Sequence, residues 1–135
     1  MNKWQKDIVK FHNTIGHPVA EVPTVPDETT RLLRGRLISE EVNELLMALG
    51  FDDLPKIADG IVDSLVVIIG TAVCCGIDLN PIWDAVQEAN LKKAAGEKRE
   101  DGKQLKPVGW VHPNISKLVE EQQSEANTNF SSNNV

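Results

Sequence analysis

The sequence has few cysteines, no tyrosine and a shortage of basic residues. Its two cysteines, Cys74 and Cys75, are adjacent in an apolar run, so they cannot close a loop as a disulfide and they lack the spacing of a metal site. They indicate buried, reduced thiols. Fourteen Lys and Arg residues against 20 Asp and Glu residues give a formal net charge of −6. This charge repels a phosphate backbone and argues against nucleic acid as the main partner.

A long apolar segment of the kind that spans a membrane is also missing. The longest apolar run, about residues 61–75, contains Asp63 and is too short to cross a bilayer comfortably, and the first residues have no apolar signal core. We therefore expect a cytoplasmic protein with no membrane partner. A length of 135 residues with 41% apolar residues predicts one domain. Small helical domains often complete their burial by self-association, which predicts a homo-oligomer.

Helical spacing of apolar residues predicts an all-α fold. The third predicted helix has a β-branched centre, Leu65–Ile69, for which a buried strand is the alternative. About 20 residues without a turn signal, and Asp59 and Asp63 one helical turn apart, favour the helix. Gly70 and Ala72 in that helix would allow a neighbour to approach closely. The predicted helices cover about residues 3–15, 27–49, 55–76 and 80–93.

The C-terminal part of the chain is more polar. The segment of about residues 94–115 is first rich in basic residues and then hydrophobic, which indicates an ordered arm. Residues 122–135 are rich in Ser and Asn and contain scarcely any apolar side chain, so we expect them to be disordered. The predicted organisation is one domain over residues 1–121, including the arm, followed by a tail.

Three acidic residues cluster on the second predicted helix. Glu40 and Glu41 are adjacent, and Glu44 lies four and three positions after them, so the three like charges project from neighbouring positions of the helix. The stripe that they occupy also holds Leu37 and Ala48, so part of it is expected to face protein. Clustered, partly buried carboxylates are costly unless a cation neutralises them, and Mg²⁺ prefers carboxylate oxygens. Taken alone, however, Glu-Glu-x-x-Glu is common on solvent-exposed helices.

The next helix supplies two more carboxylates. Asp59 and Asp63 stand at i and i+4 on one face and interrupt an otherwise apolar helix. Two facing helices would then present five acids, enough oxygen ligands for one to three ions. A di-iron site is a poor alternative, because no histidine stands three residues after an acid on these helices. The five acids therefore predict a magnesium site.

These motifs resemble the MazG-like, all-α nucleoside triphosphate pyrophosphohydrolase superfamily, whose relatives include dimeric dUTPases and phosphoribosyl-ATP pyrophosphohydrolase. The resemblance runs from about Phe11 to Ile115. One position departs from it: the second motif is usually Glu-x-x-Asp, whereas here Lys56 or Gly60 stands at the Glu position. The segments that carry the resemblance are the Phe11-His12 helix, Arg36-Leu-Ile-x-Glu-Glu-x-x-Glu44-Leu, Ala58–Asp63, Gly70-Thr71-Ala72, Asn90-x-x-Lys93, Gly102-Lys103 and Lys106-Pro107.

The resemblance implies a MazG-like bundle of about four helices, completed as a homodimer or a tetramer. It also implies hydrolysis of a (d)NTP to the (d)NMP and diphosphate, with Mg²⁺, or Mn²⁺ in its place, assisting the attack of water at the α-phosphorus. Glu41, Glu44 and Asp63 are the first metal ligands it suggests, followed by Asp59. Glu40 would be a ligand or the base that orients the water. A helical oligomer that binds nucleotide or a protein partner without turnover is the alternative.

Basic and aromatic residues outside the acidic helices are candidates for substrate binding. Lysines that follow the two acidic helices in the sequence could hold phosphate oxygens. Aromatic or amide side chains could stack on the base or form hydrogen bonds with it. For each, a solvated or packed side chain is the simpler interpretation. The phosphate-binding candidates are Asn90, Lys93, Lys103 and Lys106, and the base-binding candidates are His12, Asn13, Trp83 and Trp110.

The preferred base is not encoded in a motif. Relatives include enzymes that prefer dUTP or dCTP and phage enzymes that act on dGTP. The compact form and the Ser/Asn-rich tail fit a phage or bacterial enzyme of nucleotide-pool control by analogy.

Overall fold

The structure, a computed structural model, describes residues 1–132 and is built from helices. A 3₁₀ turn, Lys93–Ala95, follows the fourth helix directly, and within the described range the only β-pairing is an isolated bridge between Lys98 and Gln104 in the arm. The all-α prediction is confirmed, with one helix more than expected. The helices are α1 (Lys3–Ile15), α2 (Glu28–Gly50), α3 (Leu54–Cys75), α4 (Leu79–Lys92) and α5 (Ile115–Ser132).

Aspartates fix where three of the helices begin. The carboxylate of Asp27 accepts a hydrogen bond from the Thr30 N–H at the start of α2, and Asp53 and Asp78 cap α3 and α4 in the same way. A carboxylate at this position satisfies a backbone donor that the helix leaves unpaired and interacts favourably with the helix dipole. These caps set the length of the α2–α3 hairpin on which the acidic residues stand.

α3 is the central helix of the fold. α2 packs along it, α1 packs across it, and its residues Ile69 and Val73 form the buried core together with Ile8 of α1. The β-branched segment that could have formed a strand therefore lies inside a helix. Burial against two neighbouring helices outweighs the weak strand propensity of these residues.

Two glycines of α3 permit its close packing. A Cβ atom on Gly60 would lie 3.1 Å from Cα of Leu45, so the backbones of α2 and α3 nearly touch there. A Cβ on Gly70 would lie 2.5 Å from Nη2 of Arg34 and 2.9 Å from Nε2 of His12. The prediction that Gly70 admits a neighbour is thus confirmed, and the neighbours are two polar side chains.

α3 also meets the length and hydropathy of a membrane-spanning helix. It is the one such helix within residues 1–132, with a mean hydropathy of 2.0 over 18 residues. The core helix of a water-soluble protein has the same properties, and α3 is covered by α1 and α2 and carries Asp59 and Asp63. Its composition therefore does not indicate a membrane protein.

The C-terminal tail differs from the prediction. Disorder was expected from Gln122 onward, but α5 continues to Ser132, and residues 133–135 lie outside the described residues. The Gln122 amide accepts from the Asp78 N–H and donates to the Asp78 carbonyl, each at 2.9 Å, and the Gln123 amide donates to the Pro23 carbonyl at 2.9 Å. Side-chain amides that satisfy buried backbone groups dock this helix, which composition alone does not reveal.

His12 is a buried histidine that is held in its neutral form. Its side chain is 2% exposed, and its Nδ1–H donates to the Pro18 carbonyl at 3.0 Å. Burial lowers the pKa of His12 below its ordinary value of 6.5, and the nearby Arg34 and His17 lower it further, against the opposing effect of the Pro18 hydrogen bond.

We therefore expect the protein to lose stability on acidification through this histidine. Because the folded-state pKa lies below the unfolded one, the contribution is complete above pH 6.5 and is lost as the pH falls toward the folded-state value. The melting temperature of the His12→Gln variant is expected to depend less on pH between about 7 and 5 than that of the parent. Equal pH dependence in the two proteins would contradict this assignment.

Candidate active site

The acidic residues stand on the antiparallel α2–α3 hairpin. Two contacts define the register of the two helices: Gly60 lies against Leu45, and the Arg34 Nε–H donates to the Thr71 hydroxyl at 3.2 Å. The two contacts agree on one register, because in antiparallel helices the residue number rises along one helix by as much as it falls along the other, and both pairs fit this rule. In this register Glu41 of α2 lies level with residues 63 and 64 of α3. The predicted facing arrangement of Glu41 and Asp63 follows from it.

The five carboxylates form an acidic patch, which we define as Glu40, Glu41, Glu44, Asp59 and Asp63. Glu41 and Asp63 are half-buried, and the other three are exposed. Desolvation raises the pKa of Glu41 above its ordinary value, and the charges of Glu44, Asp63, Glu40 and Asp59 raise it further, in that order. All four other acids therefore act on Glu41, and the structure brings the predicted acids together around it.

The acidic patch is open. Within residues 1–132, no three His, Cys, Asp or Glu side chains come close enough to enclose an ion. Like charges without a cation between them are expected to stay apart. The donors are all carboxylate oxygens, the ligand type that hard divalent cations select. The patch therefore fits Mg²⁺ or Mn²⁺ in ligand chemistry.

Ser64 adds an unsatisfied polar atom to this region. It follows Asp63 on α3 and is 5% exposed, and its hydroxyl is the one fully buried side-chain polar atom in the described part of the chain that has no hydrogen-bond partner. A buried hydroxyl without a partner costs free energy, typically about 1–3 kcal/mol. Sequence reasoning missed it, because a serine in an apolar helix is not by itself a functional signal.

Lys56 is a cation on the same helix as the two aspartates of the patch. It stands three residues before Asp59 and seven before Asp63, which places the three side chains on neighbouring positions of one face of α3. Its ammonium group is exposed and lies 3.7 Å from the Asp53 carboxylate. If Asp59 is the Asp of a Glu-x-x-Asp motif, Lys56 places a positive charge where the motif would have its Glu; if Asp63 is that Asp, Gly60 occupies the position.

A second group of predicted residues meets around Trp110; we call Asn90, Lys93, Lys106 and Trp110 the basic–aromatic cluster. The ammonium groups of Lys93 and Lys106 lie 5.1 and 4.8 Å from the centre of the Trp110 ring. Lys93 also donates to the Asn90 side-chain oxygen at 2.7 Å, and the Trp110 indole N–H donates to the Ala89 carbonyl at 2.7 Å. Two ammonium groups held over one aromatic ring concentrate positive charge at this point.

Lys103 stands apart from these contacts. It lies in the arm, where its carbonyl accepts from the Arg99 N–H at 2.8 Å and its N–H donates to the Asp101 carboxylate at 3.2 Å. The arm is fastened to the end of α4 by Gln104, whose amide donates to the Lys93 and Gly96 carbonyls at 2.7 Å each. Gln104 was not predicted, because its role depends on where the arm folds back.

The residues predicted to bind the base are not brought together. His12 is buried beside Arg34, so its ring is not available to a ligand from solvent. Asn13 is exposed at the end of α1, and Trp83 is 64% exposed on α4. Of the four, Trp110 alone lies with predicted phosphate-binding residues, in the basic–aromatic cluster.

An all-α hairpin with a carboxylate-rich patch is typical of helical proteins that use hard cations on phosphate substrates. The family described as phosphoribosyl-ATP pyrophosphohydrolase matches residues 8–90, which cover most of α1, all of α2 and α3 and most of α4. No curated protein matches the chain. Because the match covers more than half of the sequence, the chain belongs to the phosphoribosyl-ATP pyrophosphohydrolase family.

Family membership establishes the class of reaction. The protein is a nucleotide pyrophosphohydrolase, a hydrolase that acts on a phosphoric anhydride, and its family is generally dependent on divalent metal ions. The alternative of a helical oligomer without turnover has no support from this membership. The MazG-like resemblance in the sequence is confirmed.

Proposed function

We propose that this enzyme hydrolyses a deoxynucleoside or ribonucleoside triphosphate to the monophosphate and diphosphate with Mg²⁺ bound at the acidic patch. The observation that carries this proposal is the gathering of four carboxylates around Glu41, which leaves an excess of negative charge for cations to neutralise. Desolvation, and after it the charges of these four acids, raise the pKa of Glu41. Mn²⁺ is expected to replace Mg²⁺, because both take oxygen ligands.

Glu41, Glu44 and Asp63 are the proposed metal ligands, and Asp59 is the next. These residues would hold a divalent ion, which would supply Lewis-acid chemistry for activating a water and for neutralising charge on the leaving diphosphate. Glu40, the exposed neighbour of Glu41, is proposed either to bind metal or to accept the proton of the attacking water. Attack is proposed at the α-phosphorus, which separates the monophosphate from the diphosphate.

The phosphates are proposed to be held by the basic–aromatic cluster together with Lys103. The structure supports a shared role for Lys93 and Lys106, which both lie over Trp110. The four cluster residues belong to α4, to the 3₁₀ turn after it and to the arm, whereas the acidic patch belongs to the α2–α3 hairpin. Trp110 is proposed to stack on the base, and Asn13 and Trp83 remain candidates for the same role.

The proposed substrates are dGTP and dUTP, in control of the nucleotide pool of a bacterial or phage-infected cytoplasm. This choice comes from the MazG-like relatives named above. The family description instead names phosphoribosyl-ATP, so that compound is the direct competitor. A panel of ribo- and deoxynucleoside triphosphates together with phosphoribosyl-ATP, assayed with Mg²⁺ and with Mn²⁺ for diphosphate release, tests the proposal. Turnover of phosphoribosyl-ATP alone would refute it.

Lys56, on the same helix face as Asp59 and Asp63, allows a direct test of metal binding. The Lys56→Glu variant replaces a positive charge by the carboxylate of a Glu-x-x-Asp motif, so we expect its apparent affinity for Mg²⁺ to rise by about 10-fold or more, equivalent to roughly 1.4 kcal/mol. Titration calorimetry with Mg²⁺ alone measures this. Lys3→Glu makes the same charge change on α1, where Lys3 pairs with Asp7, and serves as the control. An equal gain in both variants would show that only net charge matters.

A homodimer or tetramer is proposed as the functional form. Large apolar side chains remain exposed around the tip of the α2–α3 hairpin, near the acidic patch, where a second copy would cover them. These residues are Leu46, Met47, Leu49, Phe51, Leu54 and Val62.

The oligomer prediction has two measurements. Light scattering at micromolar concentration is expected to give the mass of at least two chains, and a monomeric mass would contradict the prediction. Replacing Phe51 and Leu54, which are 75% and 73% exposed, by Ser is expected to lower the mass, because this removes apolar area from the hairpin tip. Val108→Ser, at a fully exposed position in the arm, is the matched control.

A further inference from the structure

One cavity of the structure lies away from the acidic patch and is lined mainly by apolar side chains. It has a volume of about 490 Å³ and is enclosed by α2, the end of α3, the connection at residues 23–26 and α5. Such a volume is within the range of about 300–1,000 Å³ typical of small-molecule sites. Its apolar wall is formed by Pro23, Val25, Pro26, Ile38, Ile77 and Val119.

One charged side chain, Arg34, is buried in the wall of this cavity. It is 4% exposed, its Nη2–H donates to the Val67 carbonyl at 2.6 Å, and its Nε–H donates to the Thr71 hydroxyl. Among residues 1–132 no carboxylate forms an ion pair with it. The guanidinium is therefore anchored by neutral acceptors, and no carboxylate of the described residues pairs with it.

The remaining nitrogen of Arg34 faces accessible space. Nη1 makes no hydrogen bond to the described residues, yet it is not sealed, because Ser64 Oγ is the only fully buried polar side-chain atom in that range without a partner. Arg34 is one of the residues that line the cavity, so its side chain supplies a positive charge to the cavity wall. An uncompensated buried charge costs several kcal/mol, and an anion in the cavity would remove much of that cost.

The surroundings keep this charge in place. Gly70 makes room for the guanidinium, since a Cβ atom there would lie 2.5 Å from Nη2, and the neighbouring His12 is buried and hydrogen-bonded to Pro18. Arg31, one helical turn earlier on α2, adds a second cation at the exposed edge of the cavity. The two hydrogen bonds that anchor Arg34 to α3, together with its burial, indicate a rigid site instead of a mobile surface charge.

We propose that this cavity binds a small organic anion, with its oxyanion head on Arg34 and its apolar body against the wall formed by Ile38 and Val119. A nucleotide is a poor match, because few polar groups in the wall could pair with a base or a sugar. The site is distinct from the acidic patch: Glu41 is seven residues beyond Arg34, about 10 Å along α2. Binding here therefore does not depend on the function proposed for the acidic patch.

Calorimetric titration of the full-length protein with octanoate tests the proposal. Inorganic phosphate has the anionic oxygen atoms without an apolar chain, and octanol has the apolar chain without an anionic group. Octanoate is expected to bind the parent at least about 10-fold more tightly than either compound, since it alone satisfies both parts of the site. Phosphate binding as tight as octanoate, or the absence of octanoate binding, would overturn the proposal.

Three variants connect the binding to this cavity. Arg34→Met keeps the length of the side chain without its charge and is expected to weaken octanoate binding by about 10-fold or more, while Arg36→Met, at an exposed position on the same helix, leaves it unchanged. Ile38→Trp is expected to abolish binding by filling the cavity while Arg34 remains, which covers the case that Arg34→Met does not fold. Unchanged octanoate affinity in Ile38→Trp would overturn the proposal. The proposal would also be overturned if the parent protein did not bind octanoate and formed an oligomer that Arg34→Met converts to a monomer. That result would place a carboxylate of another copy on Arg34.

Discussion

The Glu41→Gln and Glu44→Gln variants are each expected to lose nearly all activity, with kcat/KM lowered by about 100-fold or more, while the protein stays folded. Glutamine keeps the size of the side chain but removes a charged metal ligand. It also removes one partner from the mutual repulsion that raises the pKa of Glu41. The melting temperature without metal is therefore expected to stay the same or to rise.

Steady-state diphosphate release and thermal melting with and without Mg²⁺ measure both effects. Glu120→Gln, at an exposed position on α5 outside the acidic patch, is the matched control and is expected to change neither quantity. Mg²⁺ is expected to raise the melting temperature of the parent and of the control, but much less that of the Glu41→Gln variant. Retained activity in both patch variants would remove the basis for the metal assignment.

The Lys93→Ala variant is expected to lower kcat/KM by about 10-fold or more, which corresponds to roughly 1.4 kcal/mol of transition-state stabilisation. Lys93 is held at 2.7 Å from Asn90 and over the Trp110 ring, so its ammonium group is already oriented before substrate binds. Its charge gains value as negative charge moves onto the leaving diphosphate. Affinity for Mg²⁺ is expected to stay nearly unchanged, because Lys93 lies outside the acidic patch.

The neighbouring residue provides the control for this variant. Lys92 is also exposed, but it pairs with Glu88 on the surface of α4, so Lys92→Ala is expected to have little effect on the kinetics. Lys103→Ala tests the arm separately, because Lys103 makes its contacts with Arg99 and Asp101. If Lys93→Ala and Lys103→Ala both kept kinetics within about twofold of the parent, the proposed phosphate-binding role would be excluded.

The features of the fold that depend on helical periodicity could be predicted from the sequence. Apolar spacing located α1, α2 and α3, and the positions of Glu41 and Asp63 on two successive helices were sufficient to predict that they face each other. These predictions depend only on helical periodicity and on a short turn between two helices. They hold because both helices are long enough for the register to be fixed by close contacts such as Gly60 with Leu45.

Features that depend on tertiary contacts could not be predicted. Disorder was expected from Gln122 onward, in the second half of α5, because the contacts there use the Gln122 and Gln123 amides instead of an apolar face. Arg34 stands in the same helical stripe as Glu41, Leu45 and Ala48, so its burial had a sequence signal, but the neutral acceptors that hold it became visible only in three dimensions. His12 was predicted to contact the base, whereas the packing of α1 on α3 buries its ring.

The position of bond cleavage tests the central claim most directly. Hydrolysis of the preferred triphosphate with Mg²⁺ in ¹⁸O-labelled water, followed by mass spectrometry of both products, shows which phosphorus the water attacks. Attack at the α-phosphorus predicts one ¹⁸O atom in the monophosphate, none in the diphosphate, and no products in the absence of a divalent ion. Label in the diphosphate, release of orthophosphate as the first product, or full activity in chelator would contradict metal-assisted pyrophosphohydrolysis at the acidic patch.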